Sequence, residues 1–215
     1  SVIPVAREML DREIILAVEQ TMHVGYPTDA GAVLLIEVEG MAESVEVEAA
    51  TVVAACEANS AREIRVADDL EEREKLWEGR KAGIGAIGAV SPNFYLLDGV
   101  VPRTRLPEVM RGVLELSEKY GFRCANIFHA GDGNLHPNIM FDELEEGATE
   151  RVLDLGGEIM RLCVDAGGSI TGEHGVGSEK RSYMEWIFTP EDLAAMSSSA
   201  FDFLEASRPF RVDVS

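Results

Sequence analysis

No run of apolar residues in this chain approaches the roughly 18 to 20 that a membrane-spanning helix needs, so no membrane span is expected. The N-terminal stretch SVIPVAREMLDREIILAV does not read as a secretory leader either. Arg7, Glu8, Asp11 and Glu13 interrupt it before any sustained apolar segment, and a cytoplasmic protein is expected. Cysteine is scarce: Cys56, Cys124 and Cys163 are scattered and form no Cys-x-x-Cys pair, so nothing points to a zinc ribbon, an iron–sulfur site or a redox dithiol. Each lies among apolar neighbours and reads as a reduced, buried thiol. Positive charge is also short. Nineteen basic against thirty-nine acidic side chains give a net charge of -20, which repels a nucleic-acid backbone or an anionic membrane. A small anionic substrate stays compatible, because a few arginines or a metal inside a cleft override the outer field. Neither a Gly-x-Ser-x-Gly elbow nor the spacing of a phosphate-binding loop is present.

What is present is enough for one domain of ordinary to large size, or two small lobes sharing a core. The chain has 215 residues, 46% of them hydrophobic. Apolar runs alternate with amphipathic stretches. Residues 32–39 read as a strand, 43–59 as an Ala- and Val-rich helix, 63–67 as a strand and 69 to about 82 as a charged helix. A second series follows, with a strand over 93–100, a helix over 106–120 with its apolar face at Val109, Val113 and Leu116, and strands over 124–129 and 138–141. Further helices are expected over 147–166 and 189–204. Pro102 and Pro107 mark the start of the 106–120 helix. This order predicts an α+β sandwich, with helices packed on a mostly antiparallel sheet.

The chemistry-bearing residues fall in two glycine-rich segments, FHAGDGNLHPN at 128–138 and GGSITGEHGVG at 167–177. In the first, a strand ends at His129, a Gly131–Asn134 turn reverses the chain, and His136 opens the next strand, so both imidazoles can reach one side. Two imidazoles and a carboxylate suit zinc or its neighbours and leave positions open for substrate. Asp132 reads as a turn residue more readily than as that carboxylate. In the second segment Glu173 and His174 stand side by side among Gly172, Gly175 and Gly177. Glu173 completes a metal site and His174 serves as base, or the two roles are exchanged; the residues alone allow both. Of the cations, Arg80, Lys81, Arg103 and Arg105 are candidates for a substrate carboxylate, with surface ion pairing the plainer reading for Lys81 and Arg105. Trp77 reads as core, and His23 stands apart.

Together LWEGRKAG, SPNFYLLDGVVPRTRLP, FHAGDGNLHPNIMFD and GGSITGEHGVGSEKR resemble the C-terminal substrate (cap) domain of FAD-linked oxidases, in the glycolate oxidase and D-lactate dehydrogenase group. The resemblance runs from about Pro4 to about Leu193; the tail from about 194 departs from it. It implies a ferredoxin-like α/β sandwich. It further implies that His129, His136 and Glu173 bind a divalent metal, zinc first with iron or manganese as alternatives. His174 would take the substrate's hydroxyl proton, Arg80 would bind the carboxylate and Asn138 would touch the substrate. Relatives acting on longer diacids carry a lysine where this chain has Leu96, which favours glycolate or D-lactate.

Members of this family carry FAD on a separate N-terminal domain that this chain does not resemble, so the chain alone is not expected to oxidise anything. The expected partners are a small 2-hydroxy acid, a flavin-binding domain, an iron–sulfur subunit of a glycolate oxidase complex and a second copy in a homodimer. Two other functions remain compatible with the residues: a stand-alone metal-dependent hydrolase, and an inactive fragment serving as an interaction module.

Overall fold

The computed structural model describes residues 2–67 and 69–197. In chain order the elements are β1 (Ala6–Asp11), α1 (Arg12–Thr21), β2 (Ala32–Glu37), α2 (Ala42–Ala58), α3 (Leu70–Val90), β3 (Asn93–Leu96), β4 (Gly99–Val100), α4 (Leu106–Tyr120), β5 (Arg123–His129), β6 (Asn134–Leu135), β7 (Pro137–Phe141) and α5 (Ala148–Asp165). Residues 190–197 are helical; the rest of the helix expected over 189–204 lies outside the described residues. Among the described residues, no helix is long and apolar enough to cross a membrane.

β5 is the centre of the sheet. Its end pairs with β1 and its start with β7, β1 pairs outward with β2 and β7 with β3, and β6 and β4 extend the sheet beside His129. Every one of these pairings is antiparallel, as expected for the α+β sandwich.

Side chains alternate across a strand, and β5 uses both faces. Ala125 and Ile127 join a core with Leu10, Ile14, Val18 and Ile87, where α1 packs on α3. Cys124 and Phe128 join a second core with Val113, Ile139, Leu155 and Ile159, where α4 packs on α5. Burial on both faces explains why the strand is apolar almost without a break.

Three expectations need correction, and two elements are additional to them. The strand expected over 63–67 does not form; Arg62 and Arg65 instead tie that segment to Asp29 and to the Gly25 carbonyl. The charged helix does not stop near residue 82 but runs to Val90 as α3. Three glycines in KAGIGAIGAV weaken helix propensity, each by about 1 kcal/mol relative to alanine, and one of them, Gly83, is closely packed. A Cβ on Gly83 would sit 2.4 Å from the Ile127 side chain, so glycine is what lets α3 lie against β5. The strand expected over 93–100 is two strands, broken at Leu97 and Asp98. Finally, β1 and α1 were not read from the sequence as elements at all.

Asp11 joins those two elements to β5. Its Oδ1 caps α1 by accepting from the Ile14 amide at 3.1 Å, and its Oδ2 accepts from the backbone and side-chain amides of Asn126 at 2.8 and 2.7 Å. Burial pushes this carboxyl up to about 6, against the partial offset of the Asn126 and Ile14 hydrogen bonds. The folded state therefore holds its proton more tightly than the unfolded chain does. The resulting stability is complete below about pH 4 and is lost as pH rises through about 6, a contribution of about 3 kcal/mol. Urea unfolding across that window should show wild type losing stability relative to Asp11→Asn; parallel pH curves for the two would refute the assignment.

Candidate metal centre and its supports

The register of β1 against β5 places Glu8 directly opposite His129. His129 Nδ1 lies 2.8 Å from Glu8 Oε1, and Arg80 Nε, from α3, donates to Glu8 Oε2 at 2.8 Å. A carboxylate only accepts, so His129 carries its hydrogen on Nδ1 and presents a lone pair at Nε2.

After His129 the chain turns tightly. The amides of Asp132 and Gly133 both donate to the His129 carbonyl, at 3.1 and 3.2 Å. Gly133 has φ +77°, and a Cβ there would meet the Val101 carbonyl oxygen at 2.1 Å, so glycine is required on both counts. The turn returns Asn134 to pair with His129 and delivers His136 between β6 and β7. The His136 ring is buried, with Nδ1 3.3 Å from the Leu97 carbonyl oxygen; a hydrogen held on Nδ1 there leaves Nε2 able to act as a ligand. Burial shifts its pKa below the ordinary histidine value, partly offset by the Leu97 hydrogen bond and by Glu173.

The second glycine-rich segment is held by Asp98, which sits at the break between β3 and β4. Val100 and Ser169 exchange backbone hydrogen bonds of 3.0 and 2.9 Å, bringing the segment alongside. The fully enclosed Asp98 carboxylate accepts from Thr171 Oγ1 at 2.6 Å, the Gly172 amide at 3.0 Å, the Glu173 amide at 3.2 Å and the His174 amide at 2.9 Å. The buried Lys180 ammonium donates to the Asp98 carbonyl at 2.9 Å and lies 3.6 Å from its Oδ2. Desolvation pushes the Asp98 pKa up, but the Thr171, His174 and Gly172 hydrogen bonds and Lys180 outweigh it and hold the carboxyl down to about 2.

Three imidazole nitrogens surround one carboxylate oxygen. Glu173 Oε1 lies 2.8 Å from His136 Nε2, 3.6 Å from His174 Nε2 and 3.7 Å from His129 Nε2. The His136 and His174 rings stack with centroids 5.0 Å apart, and His129 meets His136 edge-on at 5.5 Å. With Nδ1 of both His129 and His136 facing other acceptors, their Nε2 atoms and the carboxylate converge on one point, an arrangement that can accommodate a cation. His129, His136 and Glu173 can each offer one donor atom within 4.8 Å of the others, so the donor set fits a divalent metal. Asp98, His136 and His174 meet the same distance criterion, but the Asp98 oxygens are already committed to the segment's amides.

His129 and Glu173 also line a cleft of about 340 Å³ with Val100, Asp132, Asn134 and Gly172. Asn134 Oδ1 is buried there without a hydrogen-bond partner among the described residues, and a Cβ on Gly172 would strike it at 2.5 Å. His174 differs from the two other histidines. No hydrogen bond orients its ring among the described residues, and its side chain is 42% exposed, against 32% for His129 and 8% for His136.

Of the six residues singled out in sequence, the structure brings His129, His136, Glu173 and His174 together. Arg80 stands one carboxylate away, its Nε bound to Glu8. Asn138 is fully buried, its amide donating to the Ala125 and His136 carbonyls while Oδ1 is unpartnered among the described residues. Asp132 is an exposed turn residue outside the donor groups. Trp77 packs against the first core, Arg105 pairs with Glu108, Arg103 approaches the Gly131 carbonyl at 3.5 Å, and Lys81 and His23 are exposed. Cys124 and Cys163 are buried free thiols and Cys56 is half-buried.

Two supports were missed in the sequence. Glu8 could have been found from the alternation in REMLD had β1 been recognised. The DG dipeptide at Asp98 could have signalled a break in its strand.

Comparison with known proteins gives concordant results. Residues 1–202 match the model of a family described as FAD linked oxidases, C-terminal domain. The chain is 43% identical over 203 residues to the glycolate oxidase subunit GlcD of Escherichia coli K12, covering 94% of this chain and 41% of that protein. It is 36% identical to GlcD of Bacillus subtilis, covering 94% and 43%, and 29% identical to a D-lactate dehydrogenase of Anaerostipes hadrus, covering 90% and 42%. The chain thus spans about two fifths of the length of these relatives. Among solved structures, 4-ethylphenol oxidase from Gulosibacter chungangensis, in its isoeugenol complex, superposes with a TM-score of 0.51 at 14% identity. That match covers 77% of this chain and 38% of the other, and it concerns the fold alone.

Proposed function

The chain belongs to the family of FAD linked oxidases, C-terminal domain, and from that premise we propose that it forms the substrate- and metal-binding half of a flavin-dependent oxidoreductase acting on a small 2-hydroxy acid. The observation that carries the proposal is the convergence of three Nε2 atoms on Glu173 Oε1, two of them from rings whose Nδ1 is already engaged. His129, His136 and Glu173 would hold the metal, with zinc as the best match to two imidazoles and a carboxylate, and iron or manganese also compatible. When bound, the metal supplies Lewis acidity toward the substrate oxygens and FAD, carried by a flavin-binding domain, supplies the hydride acceptor.

The chain's own side chains account for binding and proton transfer. Arg80 is held through Nε, which leaves its terminal NH groups to bind a substrate carboxylate. His174 takes the hydroxyl proton at Nε2, since its ring is exposed, no hydrogen bond orients it among the described residues, and it can pass that proton to solvent. Loss of the proton, together with loss of hydride from C2, leaves a 2-oxo acid. The resemblance, in which relatives acting on longer diacids carry a lysine in the strand where this chain has Leu96, supports a short substrate such as glycolate or D-lactate. The names of the relatives also suggest a further subunit, which we propose is an iron–sulfur partner of a glycolate oxidase assembly.

The test is to join the chain to a flavin-loaded domain, supply zinc and assay glycolate and both lactates with an artificial acceptor. Oxidation of glycolate or D-lactate is expected, with loss of turnover of a hundredfold or more in His174→Ala, consistent with the roughly 10²–10⁴ contributed by a positioned base. A flavin-loaded, metal-loaded assembly inactive on all three acids would overturn the substrate assignment.

A further inference from the structure

Glu8 is buried in β1 and makes two short polar contacts, one from each oxygen: Oε1 with His129 Nδ1 at 2.8 Å and Oε2 with Arg80 Nε at 2.8 Å. Each partner requires an acceptor, because guanidinium nitrogen carries only hydrogens and His129 needs its proton on Nδ1 to keep Nε2 bare toward Glu173. We propose that Glu8 is a positioning residue that fixes the tautomer of His129 and the orientation of Arg80 together. One side chain thereby sets both the metal-binding lone pair and the anion-binding guanidinium. The inference rests on the metal reading of the site given above.

The isosteric change Glu8→Gln separates this role from simple packing. Glutamine offers one acceptor oxygen and one NH2 group where two donors wait. Pointing the NH2 at the permanently charged Arg80 would oppose donor to donor, so the oxygen goes to Arg80 and the NH2 faces His129. The His129 ring answers by moving its hydrogen to Nε2, where it blocks the metal-binding lone pair. His136 does not depend on Glu8, since its Nδ1 faces the Leu97 carbonyl and its Nε2 faces Glu173.

The experiment uses the chain with 15N-labelled histidine, free of metal and above the ordinary histidine titration range, followed by a zinc titration against a competing chelator. Wild type should show His129 as the Nδ1–H form. Glu8→Gln should convert it to the Nε2–H form, leave His136 unchanged and weaken zinc binding about 10–100-fold, the range for loss of a partner that orients a metal-binding histidine. In Glu8→Gln/Arg80→Met the competing donor is gone, so the glutamine oxygen should return to His129 and restore the Nδ1–H form.

A wild-type His129 dominated by the Nε2–H form, a folded Glu8→Gln with unchanged tautomer and zinc affinity, or failure of the double variant to restore the tautomer would each overturn the proposal. If wild type binds no zinc, the metal reading fails. The tautomer measurements would still decide the role of Glu8.

Discussion

In His129→Ala the chain is expected to lose zinc by more than the roughly 100-fold that removal of an outer partner costs, while His174→Ala keeps its affinity within about that range. The distances to Glu173 do not separate the two residues, since His174 Nε2 lies 3.6 Å and His129 Nε2 3.7 Å from Oε1. Their surroundings do. The His129 ring is fixed by Glu8 in the tautomer a metal needs, whereas among the described residues no hydrogen bond fixes the His174 ring, which stacks on His136 and is exposed. A ligand benefits from being held; a residue that gains and loses a proton benefits from access. Metal analysis of the purified variants after dialysis against chelator decides between them. Equal loss in both would move His174 into the metal's coordination sphere and leave the proton-transfer role without a residue.

Asp98→Asn is expected to cost about 3–5 kcal/mol of stability, the size of effect seen when one partner of a buried charge pair is removed. For a chain of this length that is a fall of roughly 10 °C in melting temperature. The carboxylate accepts from four groups of the 171–174 segment and faces the buried Lys180 ammonium. Asparagine leaves one oxygen for those donors, turns an NH2 group against the rest and deprives Lys180 of its counter-charge. Because Glu173 and His174 are carried by the same segment, zinc affinity should fall as well. Amide exchange at Gly172, Glu173 and His174 should accelerate ahead of global unfolding. A variant with wild-type melting and protected amides would show that the segment is held by something other than Asp98.

Acid gives an independent check on Asp98. With a pKa held down to about 2 in the folded state, its contribution is present above the unfolded carboxylate range near 3.9 and is lost as pH falls toward about 2. This is opposite in sign to the dependence expected at Asp11.

Local features were the part of this molecule most legible in sequence. α4 matches the reading over 106–120 residue for residue, because Pro107 marks its first turn and Gly121, at φ +77°, ends it in a left-handed cap. FHAGDGNLHPN announced its own turn, and GEHG its own pair of side chains. What the sequence hid depends on pairing at a distance. Glu8 and His129 are 121 positions apart and meet only because β1 lies beside β5 in one register. A one-residue slip would send Glu8 to the other face of the sheet. Asp98 was hidden differently, inside a stretch read as continuous strand. Its position at a break is what leaves its carboxylate, and the Leu97 carbonyl before it, free to serve the site.

X-ray absorption at the zinc edge of the zinc-loaded chain tests the centre most directly. One equivalent of zinc is expected, with two imidazole nitrogens at about 2.0–2.1 Å and a carboxylate oxygen among the remaining light-atom ligands. A third imidazole in the spectrum, or no tightly bound zinc in the folded protein, would contradict the assignment of His129, His136 and Glu173 as the metal-binding set.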